Sequence, residues 1–249
     1  MTIRLYELLG DSDRRYSQFS WRAKMALKHK GLEFEPLPLL LTDKETTAFA
    51  DAKSVSVMVD GEVIKVDSWD IALYLDEAYP DKPSLLGGSI GEGVTRIINS
   101  WCERAVNVAL GPLIARDVLD AAHMQDRKYF RETMEKMYKR TLEEVQDGRE
   151  DRVINLYRTL DPIRTSFRKG QPFISGEEPA YADYVVFSQF QWARVTSPFQ
   201  LLSEEDPVYA WRERMLDLYE QFARDTVCYE VSGRKFAVND GCYLNLLPH

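Results

Sequence analysis

The sequence predicts a small mixed α/β domain followed by an all-helical domain. Near the N-terminus, a β-rich segment, a helix and a second β-rich segment follow one another. A hairpin and another helix are expected between Val55 and Tyr79. Beyond a segment rich in proline and glycine, nearly all of the remaining chain shows the helical spacing of apolar residues. We therefore expect an α/β unit and a helical unit joined by a linker.

The rest of the chain is organised around the segment from Val55 to Tyr79. Residues 55–59 place valine at every second position, as a strand does, and residues 62–66 read as the returning strand. Between them, Asp60-Gly61 is the dipeptide that a tight type I′ hairpin turn prefers. Apolar residues recur at helical spacing from Trp69, and Tyr79-Pro80 ends that helix.

Asp67 and Ser68 stand at the expected start of this helix. A helix start has free backbone N–H groups and the positive end of the helix dipole, so it can bind an anion. Ser68 could hold a carboxylate with its hydroxyl and amide, while Asp67 could pair with an ammonium group. This pair therefore suits the head of an amino acid, although most such pairs are only N-caps.

The N-terminal segment completes the α/β unit. The expected elements are a central strand at Ile3–Leu8, a helix at residues 21–31, a strand at residues 33–37 and a short helix at residues 42–52. Either Ser17 or Ser20 can cap the first helix, which ends at Gly31. A right-handed crossover makes the first two strands parallel, and the hairpin makes the last two antiparallel. This order resembles that of a thioredoxin-like domain.

A linker at residues 80–89 contains several helix-breaking residues. We accordingly expect an α/β domain at residues 1–82 and an all-α domain at residues 90–249. Residues 181–195 are nearly all apolar and should form the buried central helix of the second domain. The other helices are expected at residues 94–118 (interrupted near Gly111-Pro112), 126–146, 151–168 and 207–224.

The composition excludes several classes of protein. A formal net charge of −8 over 249 residues argues against a nucleic-acid binder. The three histidines and three cysteines show no metal-ligand spacing, and an odd, scattered set of cysteines suggests a reducing compartment. The sequence has no apolar signal segment and no apolar run long enough to span a bilayer. We expect a soluble cytoplasmic protein.

Three segments together resemble motifs of the cytosolic glutathione transferase family. Residues 55–57 with Asp67-Ser68 are similar to its glutathione-binding hairpin and acidic-serine pair. Residues 17–22 are similar to its serine-type first-helix motif, and residues 176–183 to the loop and cap before its buried helix. The resemblance covers nearly the whole chain. Within the family, residues 21–31 and 144–152 are most similar to the β-etherase branch, which includes bacterial lignin-ether cleaving enzymes and fungal etherase-like transferases.

This resemblance implies a glutathione transferase fold and a homodimer that binds glutathione and a small hydrophobic co-substrate. The expected reaction is attack of the glutathione thiolate on an aromatic or unsaturated electrophile, by ether cleavage or conjugate addition. Two alternatives stay open. One is a glutathione-dependent double-bond isomerase that works by addition and elimination, and the other is a non-catalytic glutathione-binding or interaction module.

The resemblance also implies roles for individual residues. Ser17 would donate a hydrogen bond to the thiolate, with Ser20, one helical turn further on, as its rival. The expected glutathione-binding residues are Lys53, Val55, Ser56, Asp67 and Ser68. Candidate walls of the co-substrate site, between the two domains, are Tyr16, Phe19, Trp101, Asn107, Arg116 and Trp192.

Two positions depart from the family pattern. Ser56 stands where the family has a cis-proline, and we expect the Val55–Ser56 bond to be cis despite a cost of about 2.5–4 kcal/mol. Ala180 stands where a Ser, Thr or Asn usually caps the buried helix, a loss of about 1 kcal/mol. Asp183, the second residue of that cap, is present.

Overall fold

The α/β unit is built on one mixed sheet. A computed structural model describes residues 2–51 and 56–229. Within these residues a four-stranded sheet has the order β2-β1-β3-β4. β1 pairs with β2 in parallel and with β3 antiparallel, and β3 and β4 form an antiparallel hairpin. The strands are β1 Ile3–Leu8, β2 Phe34–Leu39, β3 Val57–Asp60 and β4 Val63–Val66. The predicted strand order and the central place of β1 are confirmed.

The hairpin turn lies one residue later than predicted. Asp60 is the last residue of β3 and pairs with Val63, so Gly61 and Glu62 are the two turn residues. Gly61, at φ 60°, takes the first central position, which requires glycine in a type II′ turn. The Asp60 carboxylate instead accepts hydrogen bonds from the Tyr74 and Tyr79 hydroxyls. These bonds keep Asp60 in the strand.

Among the described residues, the α-helices that accompany the sheet are α1 (Gln18–His29) and α2 (Ser68–Ala78). α1 begins three residues before the predicted start, and Gly31, at φ 62°, follows its end as predicted. The helix expected at residues 42–52 is wrong, because the described part of this segment contains only a single 3₁₀ turn at Ala48–Ala50. The Asp43 carboxylate accepts hydrogen bonds from the Thr46 amide and hydroxyl, which compete with helix formation.

The remaining described elements are helical. They are α3 Gly88–Trp101, α4 Asn107–Ala121, α5 Arg127–Tyr138, α6 Leu142–Gln146, α7 Arg149–Thr159, α8 Asp161–Arg168, α9 Tyr181–Thr196 and α10 Pro207–Gln221. α9 is the predicted central helix, and all its residues except Trp192 and Arg194 are buried. The helix predicted at residues 126–146 is divided in two at Lys139, which has φ 56°. The helix predicted at residues 151–168 is divided in two before Pro162.

The interruption predicted near Gly111-Pro112 lies elsewhere. A π-helical turn at Cys102–Val106 separates α3 from α4, and Pro112 lies inside α4. Pro112 is tolerated inside α4 partly because Gly111 precedes it. A proline ring clashes with the Cβ of the preceding residue, and glycine has no Cβ.

The two units are joined by hydrogen bonds between them. The Asp126 carboxylate, at the start of α5, accepts the Leu41 and Thr42 amides at 2.8 and 3.0 Å. In the linker, the Leu85 amide donates to Asp76 at 2.8 Å, and the Leu85 carbonyl accepts the Tyr181 amide at 3.0 Å. The end of α2 and the start of α9 are therefore held together.

Asp183 supports the start of α9, where Ala180 has no side-chain cap. Its buried carboxylate accepts the Ile174, Ser175 and Ala180 amides and the Trp211 indole N–H. The missing cap at Ala180 is thus offset by four donors to one carboxylate.

His29 links α1 to both the linker and α9. Its Nε2 lies 3.1 Å from the Ser84 carbonyl, and its Nδ1 lies 2.7 Å from the Tyr184 hydroxyl. A carbonyl can only accept, so Nε2 carries a proton, and in the neutral ring Nδ1 accepts from a hydroxyl, that of Tyr184 at 2.7 Å or that of Tyr219 at 3.3 Å. Burial lowers the pKa of His29 and Lys30 acts in the same direction, while the hydrogen bond to the Ser84 carbonyl and the Asp76 carboxylate oppose this shift.

We predict that the protein loses stability as the pH falls through about 6.5, the pKa of an unperturbed histidine. Below this pH the unfolded chain binds a proton at His29 more readily than the native protein does, so acid favours unfolding. His29→Gln should reduce this dependence of the melting temperature on pH. His123→Gln removes a half-buried histidine of the helical unit and is the control. An unchanged pH dependence in His29→Gln would contradict the prediction.

Candidate functional site

The candidate site lies where the chain enters β3 beside the starts of α1 and α2. Ser56, directly before β3, is fully buried. Its hydroxyl donates to the Ser20 hydroxyl at 3.0 Å, and its carbonyl accepts the Asp67 amide at 3.2 Å. The structure therefore brings together five of the predicted site residues, Ser17, Ser20, Ser56, Asp67 and Ser68.

Ser17 is the N-cap of α1. Its Oγ accepts the Ser20 amide at 3.2 Å, and the residue is buried. Capping uses Ser17 as an acceptor, so its hydroxyl proton is still available. In the described ranges, 2–51 and 56–229, neither the Ser17 nor the Ser20 hydroxyl donates to a protein acceptor. Both protons lie at the positive end of the α1 dipole, a position that favours a bound anion.

Asp67 and Ser68 form the start of α2. Asp67 is the N-cap, and its Oδ1 accepts the Trp69 amide at 2.7 Å. Its backbone has φ 78°, which is strained for a residue other than glycine. Ser68 is buried, and its hydroxyl makes no hydrogen bond to any residue that the structure describes. The N-cap interpretation of Asp67 is confirmed, and the Ser68 hydroxyl is left available for a ligand.

The helical unit holds this helix start in place. The Tyr181 hydroxyl donates to the Ser68 carbonyl at 2.5 Å. The Trp69 ring contacts both α9 and α3. Its centroid lies 5.8 Å from that of the Tyr181 ring and 4.5 Å from the Arg96 guanidinium carbon. The position of Ser68 therefore depends on contacts with α3 and α9.

Two predicted glutathione-binding residues, Lys53 and Val55, lie outside the described residues. The Val55–Ser56 bond lies outside them as well, so its predicted cis geometry stays a prediction.

The predicted co-substrate residues lie in several places. Tyr16 is buried, and its hydroxyl has no partner in the described part of the chain. Burial and the Asp126 carboxylate raise the pKa of this hydroxyl, so it stays protonated. Phe19 is half-buried, with the Arg22 guanidinium 4.9 Å from its ring centroid. Trp101, at the end of α3, packs partly buried against the main core.

Asn107 and Trp192 share the contact between α4 and α9. The Asn107 amide donates to Gln189 at 2.9 Å, and Trp192 lies close to Gly111. Arg116 is separate from this contact. Its guanidinium pairs with Asp120 and Glu143 within the helical unit, and its amide donates to Gln146. Among the described residues, the hydrogen bonds and ion pairs of Arg116 do not involve the other candidate walls.

Sequence reasoning missed the part that Arg22 plays. Its side chain is 2% exposed and lies between α1 and the helical unit. It donates to Ser188 at 3.3 Å, to Asn99 at 2.9 Å and to Glu103 at 3.1 Å. Helical spacing could have revealed it, because Arg22 and His29 lie seven residues apart and therefore share one face of α1.

Cys102 is buried, and burial raises the pKa of its thiol to about 12, so it is a poor nucleophile at neutral pH. Residues 2–51 and 56–229 contain no group of three or more histidine, cysteine or acidic side chains that could hold a metal ion. Across the same residues, no helix combines the length and apolar character that crossing a membrane requires.

Comparison with known proteins identifies the family. The model of the glutathione S-transferase N-terminal domain matches residues 12–83, and that of the glutathione S-transferase C-terminal domain matches residues 94–223. A glutathione S-transferase-like protein, ustS, from Aspergillus flavus is 26% identical over 140 residues, covering 51% of this chain and 50% of that protein. A zeta-class glutathione S-transferase from Euphorbia esula is 38% identical over 111 residues, covering 41% and 49%. The chain thus spans about half the length of these curated relatives.

Solved structures share the fold over most of the chain. A glutathione S-transferase of Ceriporiopsis subvermispora, in complex with glutathione, has a TM-score of 0.77 at 20% identity and covers 89% of this chain and 97% of its own. Glutathione transferase GSTFuA3 of Phanerochaete chrysosporium has a TM-score of 0.72 at 23% identity, covering 90% and 94%. Together with the domain matches on either side of the linker, these findings show that the chain belongs to the glutathione S-transferase family.

Proposed function

We propose that this protein is a glutathione-dependent transferase that activates the glutathione thiolate for attack on a small electrophile. The observation that carries the proposal is that the Ser17 and Ser20 hydroxyl protons, at the start of α1, have no acceptor among residues 2–51 and 56–229. They lie close to the start of α2, where the Ser68 hydroxyl has no partner in the described part of the chain. Glutathione is the ligand named for the similar Ceriporiopsis subvermispora structure.

The reaction depends on ionising the thiol. A free thiol has a pKa of about 8.5, so only a few per cent is thiolate at neutral pH. A hydrogen bond from Ser17 to the sulfur, together with the α1 dipole, favours the thiolate and lowers that pKa. The thiolate then forms a C–S bond with the electrophile. Either a leaving group departs with the bonding electrons, or the adduct takes up a proton. Ser20 remains the rival of Ser17 as the donor.

The start of α2 would bind the γ-glutamyl end of glutathione. The Ser68 hydroxyl and amide would bind its carboxylate, and the exposed Asp67 carboxylate would pair with its ammonium group. The backbone of Val55 would pair with the glutathione cysteine as a strand edge does, beside Ser56. Lys53 is proposed for the glycine carboxylate.

The co-substrate would lie between an α/β domain at residues 1–82 and a helical domain at residues 90–249. Tyr16, Phe19, Trp101, Asn107 and Trp192 would give it aromatic and partly polar walls. We retain the etherase-like assignment, with ether cleavage or conjugate addition as the reaction. Double-bond isomerisation and non-catalytic glutathione binding are the alternatives that a screen of electrophiles would separate. A cytoplasmic location suits a reaction that needs a reduced thiol.

Calorimetry tests the binding half of this proposal. Glutathione should bind the wild-type protein, and Ser68→Ala or Asp67→Ala should weaken its affinity at least tenfold, about 1.4 kcal/mol. Asp70→Ala removes the same charge from the same exposed first turn of α2 and should leave the affinity near that of the wild type. A wild-type protein that binds no glutathione would refute the proposed function.

We also propose a homodimer. Three large apolar side chains of α3 are exposed on one face, Ile90 by 86%, Val94 by 56% and Ile97 by 70%. Val63 and Ile64 on the edge strand β4 are exposed as well. Such a stripe suits a second copy of this chain, because a two-fold contact can bury the same apolar face on both protomers.

Ile97→Glu should therefore shift the protein to a monomer at micromolar concentration, since a buried unpaired charge is costly. Met137→Glu, at an exposed apolar residue of α5, is the control and should stay dimeric. Sedimentation velocity separates the two states. A wild-type protein that sediments as a monomer would contradict the proposed assembly.

A further inference from the structure

The Ser56 hydroxyl is hydrogen-bonded to Ser20, one of the two candidate thiolate donors. Ser56 is fully buried, and its Oγ donates to the Ser20 Oγ at 3.0 Å. The Ser56 carbonyl is occupied separately by the Asp67 amide, at 3.2 Å. A side chain that only filled space here would need no hydroxyl.

Within the described part of the chain, the hydroxyl proton of Ser20 has no hydrogen-bond acceptor. Its Oγ accepts from Ser56, and its amide donates to the Ser17 Oγ. Its own hydroxyl proton has no acceptor among residues 2–51 and 56–229, although Ser20 is fully buried. Buried polar groups rarely stay unpaired, because an unmade hydrogen bond costs free energy. The free proton is therefore suited to a ligand acceptor.

We propose that Ser56 is a positioning residue that turns the Ser20 proton toward the glutathione sulfur, making Ser20 a second donor beside Ser17. This inference rests on the proposed function. A hydroxyl that accepts one hydrogen bond becomes a stronger donor in the next, because successive bonds polarise each other. Two donors to one sulfur favour the thiolate more than one donor does.

Neither serine needs to lose its proton in this arrangement. The thiol proton leaves to solvent, and the thiolate then accepts the Ser17 and Ser20 hydrogen bonds. When the C–S bond forms, the sulfur loses its charge and becomes a much weaker acceptor, so both bonds weaken. Ser56 acts on this sequence only through the orientation of Ser20.

A double-mutant cycle tests the inference. The pKa of the bound glutathione thiol is measured from the ultraviolet absorbance of the thiolate, in the wild type, Ser56→Ala, Ser20→Ala and the double variant. Losing one hydrogen bond should raise that pKa by about 0.5 to 1. We expect similar increases in both single variants and no further increase in the double variant, because both remove the same donor.

Ser197→Ala is the matched control, since Ser197 is a buried serine whose hydroxyl is bonded to Asp117 in the helical unit. It should leave the thiol pKa unchanged. A wild-type thiol pKa in Ser56→Ala, with glutathione still bound, would overturn the inference and leave the proposed function standing. Additive increases in the double variant would also overturn it, because Ser56 would then act independently of Ser20. Absence of glutathione binding in the wild type would instead refute the proposed function.

Discussion

The candidate site depends on the hydrogen bonds that Ser56 makes to both neighbouring helix starts. Its carbonyl accepts from the N-cap of α2, and its hydroxyl donates to the first turn of α1. Two positive helix ends are thereby fixed beside the same strand. Hydroxyl donors and helix dipoles that are preorganised in this way can stabilise a thiolate, because they need not reorganise when the charge forms.

Contacts with the helical unit hold the starts of α1 and α2 in place. The Tyr181 hydroxyl holds the Ser68 carbonyl, and Arg22 connects α1 to α9, α3 and the π turn. Burying a guanidinium is costly unless it is paired, and Arg22 is paired with Ser188, Asn99 and the partly exposed Glu103. The contact between α1 and α9 therefore constrains the geometry of the site as well as the stability of the fold.

Much of the fold follows from local sequence patterns. Alternating valines, the helical spacing after Trp69 and the apolar run of α9 each determine one type of element, so these elements were predictable. The predictions differ from the structure where side-chain hydrogen bonds decide between alternative backbone conformations. The register at Asp60 depends on Tyr74 and Tyr79, and the segment after Thr42 is held by Asp43 and the distant Asp126. Most of these contacts join residues that are far apart in sequence, so no local pattern reveals them, and the bond between Asp43 and Thr46 is the local exception.

The site was predictable in part for the same reason. Ser17, Asp67 and Ser68 stand at helix starts, which short-range patterns reveal. The bond between Ser56 and Ser20 joins residues that are 36 positions apart, and only the folded sheet brings them together. Arg22 was overlooked because its three partners come from three other segments of the chain.

A crystal structure of the protein with glutathione bound would test the central claim most directly. The proposed chemistry predicts that the glutathione sulfur lies within hydrogen-bond distance of the Ser17 and Ser20 hydroxyls. It also predicts that the γ-glutamyl carboxylate contacts Ser68 at the start of α2. A sulfur bound away from both serines, or a γ-glutamyl group bound away from α2, would contradict it.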